Sequence, residues 1–538
     1  MRILAAFSGH DASATIVNDG KIEYFFKEER YSRKKHSKGC NNILIMILKN
    51  GLLDDVDYMI HTTHDSQEVK DKKDSIIKAT NPRIKFVEPH GQHHLFHASN
   101  SFYNSGFDKS LVIVIDACGG PLDDQTFECD SVYLAEYPCK FTKIYKRYWT
   151  TKKIENEITI EKNGCTFMCN SVRNGRINIG NLYNSAALAI GQTIDDCGKA
   201  MGLSSYGNRI PHMDLMEKSA ANHVYSYFRY HPEVLNVLRE DGPDRAPVII
   251  TEENYQFFAD YCCEVQNQCQ QYVIDLVRKS IEKTGVKNVC LSGGYAMNIV
   301  TNYELIKAFP DVKFYFEPVC DDSGISTGAA MNIYRKITKD TTIHPIQTTS
   351  YHGFTHDLSS YHGTTIDVSG IASLLYQDKS VGVFCGHAEA GQRALGSRSI
   401  LFNPLNPNAR EVVNSIKRRE WYRPFAAMVL EEDAHLYFGD IVPSPYMTLC
   451  FPVKSDIIPG VTHIDGTCRV QTVSSGHMYD ILQEFKKLTG HGILLNTSFN
   501  LAGQPLVETP EEAFDTLNES SLDYLWFYET KQLFNSTF

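Results

Sequence analysis

The feature that most constrains this fold is a strand–turn–strand unit that occurs twice near the start of the chain. Ile3 to Ala6 reads as a strand, SGHDAS as a turn and Ala14 to Val17 as the returning strand. Asn18-Asp19-Gly20 then leads into a third strand from Lys21 to Phe26. The pattern recurs at 111–120, where LVIVI runs into Asp116 and a Gly119-Gly120 turn, and SVYLAEY (131–137) returns. Each turn joins an acidic residue to glycine, a pairing that lets backbone amides face a phosphate. Two such units are the trace of a duplicated nucleotide-handling α/β fold. Most buried hairpins share the pattern, so it does not decide the fold alone.

At 538 residues the chain exceeds what one core supports. We place a first domain at 1–345, an irregular linker at 346–366 and a second domain at 367–538. A formal charge of −11 argues against a broad nucleic-acid footprint, though not against a small basic cleft. The opening MRILAAFSGHDASA meets an aspartate too early for a signal peptide, and no run has the length of a membrane span. Fifteen cysteines are scattered and form no C-x-x-C pair, which reads as small core residues in a reducing compartment, the cytoplasm.

Three of the 20 histidines crowd into HHLFH. His93 and His97, four apart, share one helix face and are placed to share a metal, with His94 pointing elsewhere. The alternative is a helix with histidines at its rim. Residues 141–260 are the least legible. Within them DDCGKAMGLSSYG (195–207), with a single lysine, Lys199, reads as a loop at a site, and Asn208 to Asp260 suits a substrate-specific insertion. A helix from Val265 to Lys283 ends at Gly285, and NVCLSGGYAMN (288–298) reads as strand, turn and helix start. The amides of Gly293 and Gly294 there suit an anion or adenine contact. In FYFEPVCDDSGISTGAA (314–330) a strand runs into Asp321 and Asp322. Asp322 either joins the two histidines in a facial set that favours Fe(II) or a similar ion, or caps the helix that follows.

The second domain alternates strands at VGVFCG (381–386), YMTLCFPV (446–453), GILLN (492–496) and DYLWFY (523–528) with helices from His477 to Leu488 and from Pro510. Its stretch Glu389 to Phe425 reverses the chain's acidic sign, with Arg393, Arg398, Arg410, Lys417, Arg418, Arg419 and Arg423 among small residues. Arginine forks match phosphate geometry, so a pocket for a phosphorylated substrate is one reading. A solvated basic surface with a helix from Asn408 to Arg419 is the other.

Ten blocks, in order, carry a family resemblance. They are SGHDASA (8–14), EERYSRKKH (28–36), HHLFHA (93–98), DCGKAMGLSSYG (196–207), SGGYAMN (292–298), PVCDDSGISTGAA (318–330), GQRALGSRSIL (391–401), IKRREWYRPFA (416–426), DGTCRVQTV (465–473) and LLNTSFNLAGQPLV (494–507). Together they resemble the NodU/CmcH type of O-carbamoyltransferase, which includes antibiotic-tailoring enzymes, over nearly the full length.

The resemblance implies an actin-like, duplicated ribonuclease-H-like first domain similar to tRNA threonylcarbamoyl-transferases, and a smaller YrdC-like second domain. In such enzymes carbamoyl phosphate and ATP, with Mg, give carbamoyl adenylate in the second domain. The adenylate passes internally to a metal site in the first, where an acceptor hydroxyl attacks. Carried over residue by residue, Arg393, Arg398, Lys417, Arg419, Arg423 and Arg469 bind the phosphates, with Lys417 and Arg423 catalytic. Asn496, Ser498 and Asn500 hold the carbamoyl amide or the ribose. His93, His97 and Asp322 hold a divalent metal, Fe(II) first, with Zn or Mn as alternatives. Asp116, Lys199, Gly293, Gly294 and Asp321 form a nucleotide cradle. His10, with Asp11 or Asp196, is the candidate base, or else only fixes its turn. Gln392, Asp321 and Tyr295 depart from the family pattern and leave pocket details open.

The expected acceptor is a hydroxyl of a small molecule, sugar or nucleoside. A homodimer is compatible with this reading, and a membrane partner is not expected. Two alternatives stand beside it. One is a hydroxymethylated base in nucleic acid, met by Arg30, Arg33, Lys34, Lys35 and His36. The other is a non-catalytic actin-like ATP sensor, which has no need of the second anion pocket.

Overall fold

The protein was analysed as a computed structural model that describes residues 1–62, 67–88, 92–154, 157–171, 178–210, 215, 250–251, 253–344 and 352–536. Its first sheet holds β1 (Arg2–Phe7), β2 (Ser13–Asn18), β3 (Lys21–Lys27), β4 (Tyr58–Thr62) and β5 (Lys85–Val87), in the order β3-β2-β1-β4-β5. Pairing is antiparallel from β3 to β1 and parallel from β1 to β5. The central strand β1 is buried along ILAAF, and a near-continuous apolar run is what a strand covered on both faces needs.

The second sheet holds β6 (Lys109–Ile115), β7 (Pro121–Asp123), β8 (Thr126–Glu136), β9 (Lys140–Thr150), β10 (Ile158–Lys162), β11 (Cys165–Ser171), β12 (Asn288–Ser292) and β13 (Lys313–Phe316). Its order is β10-β11-β9-β8-β6-β12-β13, with β7 paired to β8. Strands β9, β8 and β6 are antiparallel neighbours, and β6, β12 and β13 are parallel. The order and sense of the first sheet therefore recur with β6 in the place of β1. The two turns that first suggested a repeat, after β1 and after β6, occupy the same position in each sheet.

A third sheet holds β14 (Thr364–Thr365), β15 (Val381–Phe384), β16 (Arg398–Phe402), β17 (Ala426–Leu430), β18 (Cys450–Pro452), β19 (Thr467–Val473), β20 (Ile493–Ser498), β21 (Tyr524–Phe527) and β22 (Gln532–Asn535). It runs β14-β22-β21-β15-β16-β20-β17-β19-β18 and is mixed in sense. One face is covered by helices Val368–Tyr376 and His477–Thr489, whose Ile371, Leu375, Ile481, Leu482 and Phe485 are all buried in one core with Trp526. The helix Pro510–Asn518 starts with a capping box between Thr509 and Glu512, an arrangement whose loss costs about 1 kcal/mol. The fold is mixed α/β throughout.

Packing divides the described chain into two compact units that do not follow chain order. One comprises Met1–Glu88, Asp322–Ala330 and Gln347–Phe538, and the other Pro89–Asp321 and Met331–Ile346. The boundaries read from the sequence keep residues 1–88 with the histidine segment, whereas packing groups them with the third sheet. The reason lies partly in the segment read as a linker. Phe25 N donates to His352 O at 3.0 Å, Phe354 packs 4.9 Å from the Phe26 ring, and Leu358 is buried in the core beside β15 and β21. Residues 345–351 lie outside the described part.

Three other expectations need correction. The helix expected from Val265 begins at Tyr255, the strand expected over 446–453 is only Cys450–Pro452, and β22 follows the strand expected to be last. The β21–β22 hairpin turns through Lys531 at φ 55°, a left-handed position that carries no glycine to announce it.

Candidate active site

The unit containing the second sheet brings His93, His97 and Asp116 together. Helix His93–Ser105 places both imidazoles on one face, and Asp116 directly follows β6. His93 Nε2 is 3.4 Å and His97 Nε2 3.6 Å from the same oxygen, Asp116 Oδ2, and the two rings are 4.9 Å apart. The other oxygen, Asp116 Oδ1, accepts the Ala117 amide at 2.8 Å. Burial pushes the Asp116 carboxyl up, but the His93 and His97 bonds and charges outweigh it and hold the group well below the usual range. Two imidazole nitrogens and a carboxylate oxygen, all within 4.8 Å of one another and nearly enclosed, are a donor set suited to a divalent ion.

The backbone beside Asp116 is approached closely from two sides. Gly293 has φ 85°, and a Cβ there would stand 2.3 Å from Ile115 O. At Gly180, in the first turn of helix Ile179–Ala189, a Cβ would stand 2.5 Å from Ala117 Cα. Asn178 caps that helix by accepting the Asn181 amide at 2.8 Å and donates to Ala117 O at 3.3 Å. Gly293 and Gly294 are thus close to the Ile115–Asp116 backbone and side chain, and Asp116 also lies with the histidines. Lys199 is bonded to Gln192 Oε1 at 2.7 Å and paired with Asp196 at 3.3 Å. Asp321 is buried at the end of this unit's main segment, and Asp322 opens the Asp322–Ala330 segment of the other unit. His94 is fully buried, 2.6 Å from the Ser131 hydroxyl, and burial pushes its pKa down to about 3. It braces the helix rather than joining the metal-type set.

In the other unit Asp11 gathers a second cluster. It holds the left-handed φ of 58° that a side chain adopts only at a cost of order 1 kcal/mol. Its carboxylate meets His10 Nδ1 at 2.8 Å, Lys27 Nζ at 3.0 Å and His36 Nδ1 at 3.1 Å. The His10 and His36 rings stack with centroids 4.9 Å apart. Burial raises the Asp11 carboxyl, and Lys27 with the two imidazoles overcomes that and holds it well below its ordinary value. Asp11, Glu29 and His36 are close enough to hold a cation, but the Lys27 ammonium already serves there, 3.8 Å from Glu29 as well. Asp11 selects the His10 tautomer with its proton on Nδ1, the arrangement that orients an imidazole for base work. The partner His36 was missed, although EERYSRKKH contains it.

The third sheet carries a cluster of cations. Lys417 ends helix Ala409–Lys417, and its ammonium donates to the Ser498 carbonyl, to Ser498 Oγ at 3.2 Å, and to Asn500 O and Oδ1 at 2.9 Å each. Burial, then Arg419, Arg423 and Lys35, depress its pKa well below the usual lysine range. Arg419 lies over the Phe425 ring at 3.9 Å and donates to Asn414 Oδ1 at 2.7 Å, its pKa lowered by burial, Arg423 and Arg469. Arg469 is lowered by burial and Arg393. Arg423 reaches Glu420 at 3.3 Å. Asn496 Oδ1 and Arg469 Nε are buried and have no hydrogen-bond partner among the described residues. Desolvated cations set beside one another, next to an unmet acceptor and donor, form a site that gains by taking an anion.

Arg398 does not join this set. Its guanidinium is fully buried 3.5 Å over the Phe384 ring, and its terminal nitrogens donate to the carbonyls of Cys385 (2.7 Å), Ser397 (3.0 Å), Gly386 (3.2 Å) and Glu508 (3.5 Å). It clamps the loop. Two of the cations weighed for nucleic acid are similarly engaged. Arg33 donates to Leu506 O at 2.8 Å and pairs with Glu512 at 3.1 Å, and Arg30 is buried against Glu389 O and Gly391 O.

A mixed α/β chain with a metal-type donor set on its histidine helix and a cluster of arginines and lysine has the equipment of a group-transfer enzyme, and comparison with known proteins defines which. Residues 77–331 match the family model of the carbamoyltransferase N-terminus and residues 372–531 that of the carbamoyltransferase C-terminus. The chain belongs to the carbamoyltransferase family and is an enzyme, so the non-catalytic sensor reading falls away. Nodulation protein NolNO of Sinorhizobium fredii is 28% identical over 575 residues, covering 96% of this chain and 78% of that protein. Nodulation protein NolO of Bradyrhizobium diazoefficiens is 27% identical, covering 80% and 77%. Nodulation protein U of the same organism is 35% identical over 232 residues, covering 41% and 40%. Among solved structures, full-length HypF aligns at 16% identity with a TM-score of 0.35, covering 63% of this chain and 56% of that one. That likeness is too partial to define the fold. No described helix is long and apolar enough to cross a membrane.

Proposed function

We propose that the protein is an ATP-dependent O-carbamoyltransferase working in two stages. Carbamoyl phosphate, ATP and water first give carbamoyl adenylate, phosphate and pyrophosphate at the cations of the third sheet, with Mg accompanying ATP. The observation that carries this reading is the crowding of like charges, with Arg419 and Arg423 repelling Lys417, Arg423 and Arg469 repelling Arg419, and Arg393 and Arg423 repelling Arg469, beside the unmet Asn496 Oδ1 and Arg469 Nε. Phosphate charge removes that repulsion, and preorganised donors stabilise the charge that develops as phosphoryl groups transfer. Asn496 Oδ1 suits the carbamoyl NH2 as acceptor, and Asn500 and Ser498 orient Lys417.

The adenylate is then delivered to the unit with the histidine helix. His93, His97 and Asp116 would hold a divalent ion, Fe(II) first and Zn or Mn otherwise. When bound, such an ion supplies Lewis-acid stabilisation of phosphate charge. The amides of Gly293 and Gly294 and the side chains of Lys199 and Asp321 serve the nucleotide. The acceptor hydroxyl oxygen attacks the carbonyl carbon, the bond from that carbon to the adenylate oxygen breaks, AMP leaves, and His10 held by Asp11 takes the hydroxyl proton. This follows a duplicated ribonuclease-H-like reading of the two sheets, which their shared strand order supports. The acceptor is a hydroxyl of a small molecule, sugar or nucleoside.

The test is incubation with carbamoyl phosphate, ATP and magnesium, without acceptor, while pyrophosphate is followed. Release of pyrophosphate that depends on carbamoyl phosphate is expected, and its absence from metal-loaded protein sinks the adenylate stage.

A further inference from the structure

Arg30 lies in the short helix Glu28–Ser32 of the N-terminal segment, far in sequence from the cations of the third sheet, and is only 5% exposed. Its Nη2 donates to Glu389 O at 3.0 Å and to Gly391 O at 3.2 Å. Those carbonyls begin the loop that presents Arg393. The far side of the loop is fixed by different groups. Glu389 Oε1 accepts the amides of Leu395 and Ser397, both at 2.7 Å, and of Arg398 at 3.3 Å. Asn496 Nδ2 donates to Ala394 O at 3.1 Å, and Gln471 Nε2 to Leu395 O at 2.9 Å. Gln392 and Arg393 follow the carbonyls held by Arg30 and precede the groups held by Asn496, Gln471 and Glu389.

From this geometry we infer that Arg30 is a positioning residue for anion binding, holding the loop so that Arg393 meets the phosphorylated substrate. The inference rests on the reading above that these cations bind carbamoyl phosphate and ATP. Packing alone does not account for the residue. Arg30 Nε and Nη1 are buried without hydrogen-bond partners among the described residues, as are Glu389 Oε2 and Glu508 Oε1. All three side chains line one small pocket with Lys27 and Tyr31. Keeping a guanidinium in such a place is costly, and an apolar side chain would fill it with less penalty. What an apolar side chain does not do is bridge two loop carbonyls with one nitrogen. A lysine reaches with a point charge on a flexible stem and lacks the fixed fork.

The experiment compares the full-length wild type with Arg30→Lys and Arg30→Ala. Calorimetry reads pyrophosphate binding, which needs no turnover, and pyrophosphate release reads the KM for carbamoyl phosphate. Arg30→Ala is expected to weaken pyrophosphate binding and raise KM by about tenfold each, with kcat within about twofold and Arg30→Lys intermediate. Guanidinium ion below denaturing concentration should restore the alanine variant and leave the wild type unchanged, a response a merely structural role does not produce. Equal pyrophosphate affinity in wild type and variants overturns the inference, whether or not the wild type turns over. If Arg30→Ala does not fold, Arg30→Lys decides, and an unchanged KM and affinity there overturns it too. Wild type that binds pyrophosphate through Arg30 yet never releases it from ATP leaves this inference standing and removes the adenylate reading instead.

Discussion

Arg469 on β19 and Asn496 on β20 flank the same residue, Ala426 of β17, from opposite sides, so their side chains leave one face of the sheet together. A guanidinium and an amide oxygen, each with an unmet buried atom, thereby stand on one face of the sheet. Asn496 Nδ2 donates to Ala394 O at 3.1 Å and to Gln471 Oε1 at 3.0 Å, so a carboxylate in its place sets an oxygen against two acceptors. Asn496→Asp is expected to lower the thermal midpoint by a few degrees and to cut carbamoyl-phosphate-dependent pyrophosphate release by roughly a hundredfold. Calorimetry and the release assay on the same preparation check it, and a variant as stable and as active as the wild type contradicts the pairing.

The proposed two stages place Lys417 in the first and His93 in the second, and their variants test this. Lys417→Ala should lower pyrophosphate release by about 10²–10³-fold, the scale for losing one preorganised charged donor. His93→Ala should leave that release near the wild-type rate and abolish transfer to an acceptor. Equal loss of release in both variants means that the two sites are not separate.

Asp116 is assigned here to the histidines, and metal content is the measurement that checks it. Asp116→Ala and His97→Ala should each reduce metal retained after dialysis by at least tenfold against the wild type, while Lys199→Ala should retain the wild-type amount. Elemental analysis of purified protein gives the answer without any assay of turnover. Full retention in Asp116→Ala returns that residue to the nucleotide cradle alone.

Much of this arrangement was legible because it depends on local pattern. The β1 and β6 turns follow from apolar runs ending in acidic and glycine residues, and the helical spacing of His93 and His97 follows from their separation by four. The helix expected from Asn408 to Arg419 is found at Ala409–Lys417. What escaped was set by contacts between distant residues. Nothing in GQRALGSRSIL distinguishes Arg393, at the loop tip, from Arg398, whose fork faces four carbonyls, because the difference lies in where β15 and β16 place the chain. EERYSRKKH reads as exposed charge, yet Arg30 and Arg33 bond to carbonyls hundreds of residues later. The strands from Lys140 to Ser171 were invisible for a different reason. Lysine, arginine and glutamate interrupt β9 and β10, and an edge strand as exposed as Ile158–Lys162 needs no apolar face.

The last expectation concerns pH. Glu317 is fully enclosed after β13, where it accepts from the Val319 amide at 3.0 Å, Asn104 Nδ2 at 3.2 Å and the Tyr315 hydroxyl at 3.2 Å. Burial outweighs these bonds and pushes its carboxyl from 4.5 up to about 7. A carboxyl raised on folding binds its proton more tightly in the folded state. Its contribution is fully present below pH 4.5 and is lost as pH rises through 7, a change of roughly 3 kcal/mol at most for a shift of this size. The denaturation midpoint should therefore fall from pH 5 to pH 8, with most of the fall below pH 7. Glu317→Gln keeps a donor and an acceptor without titrating, and it should flatten that fall and exceed the wild type in stability at pH 8. Urea titrations at both pH values decide the matter. A variant with the same pH slope as the wild type means that Glu317 is ionised in the folded protein throughout, held so by Asn104, Tyr315 and the Val319 amide.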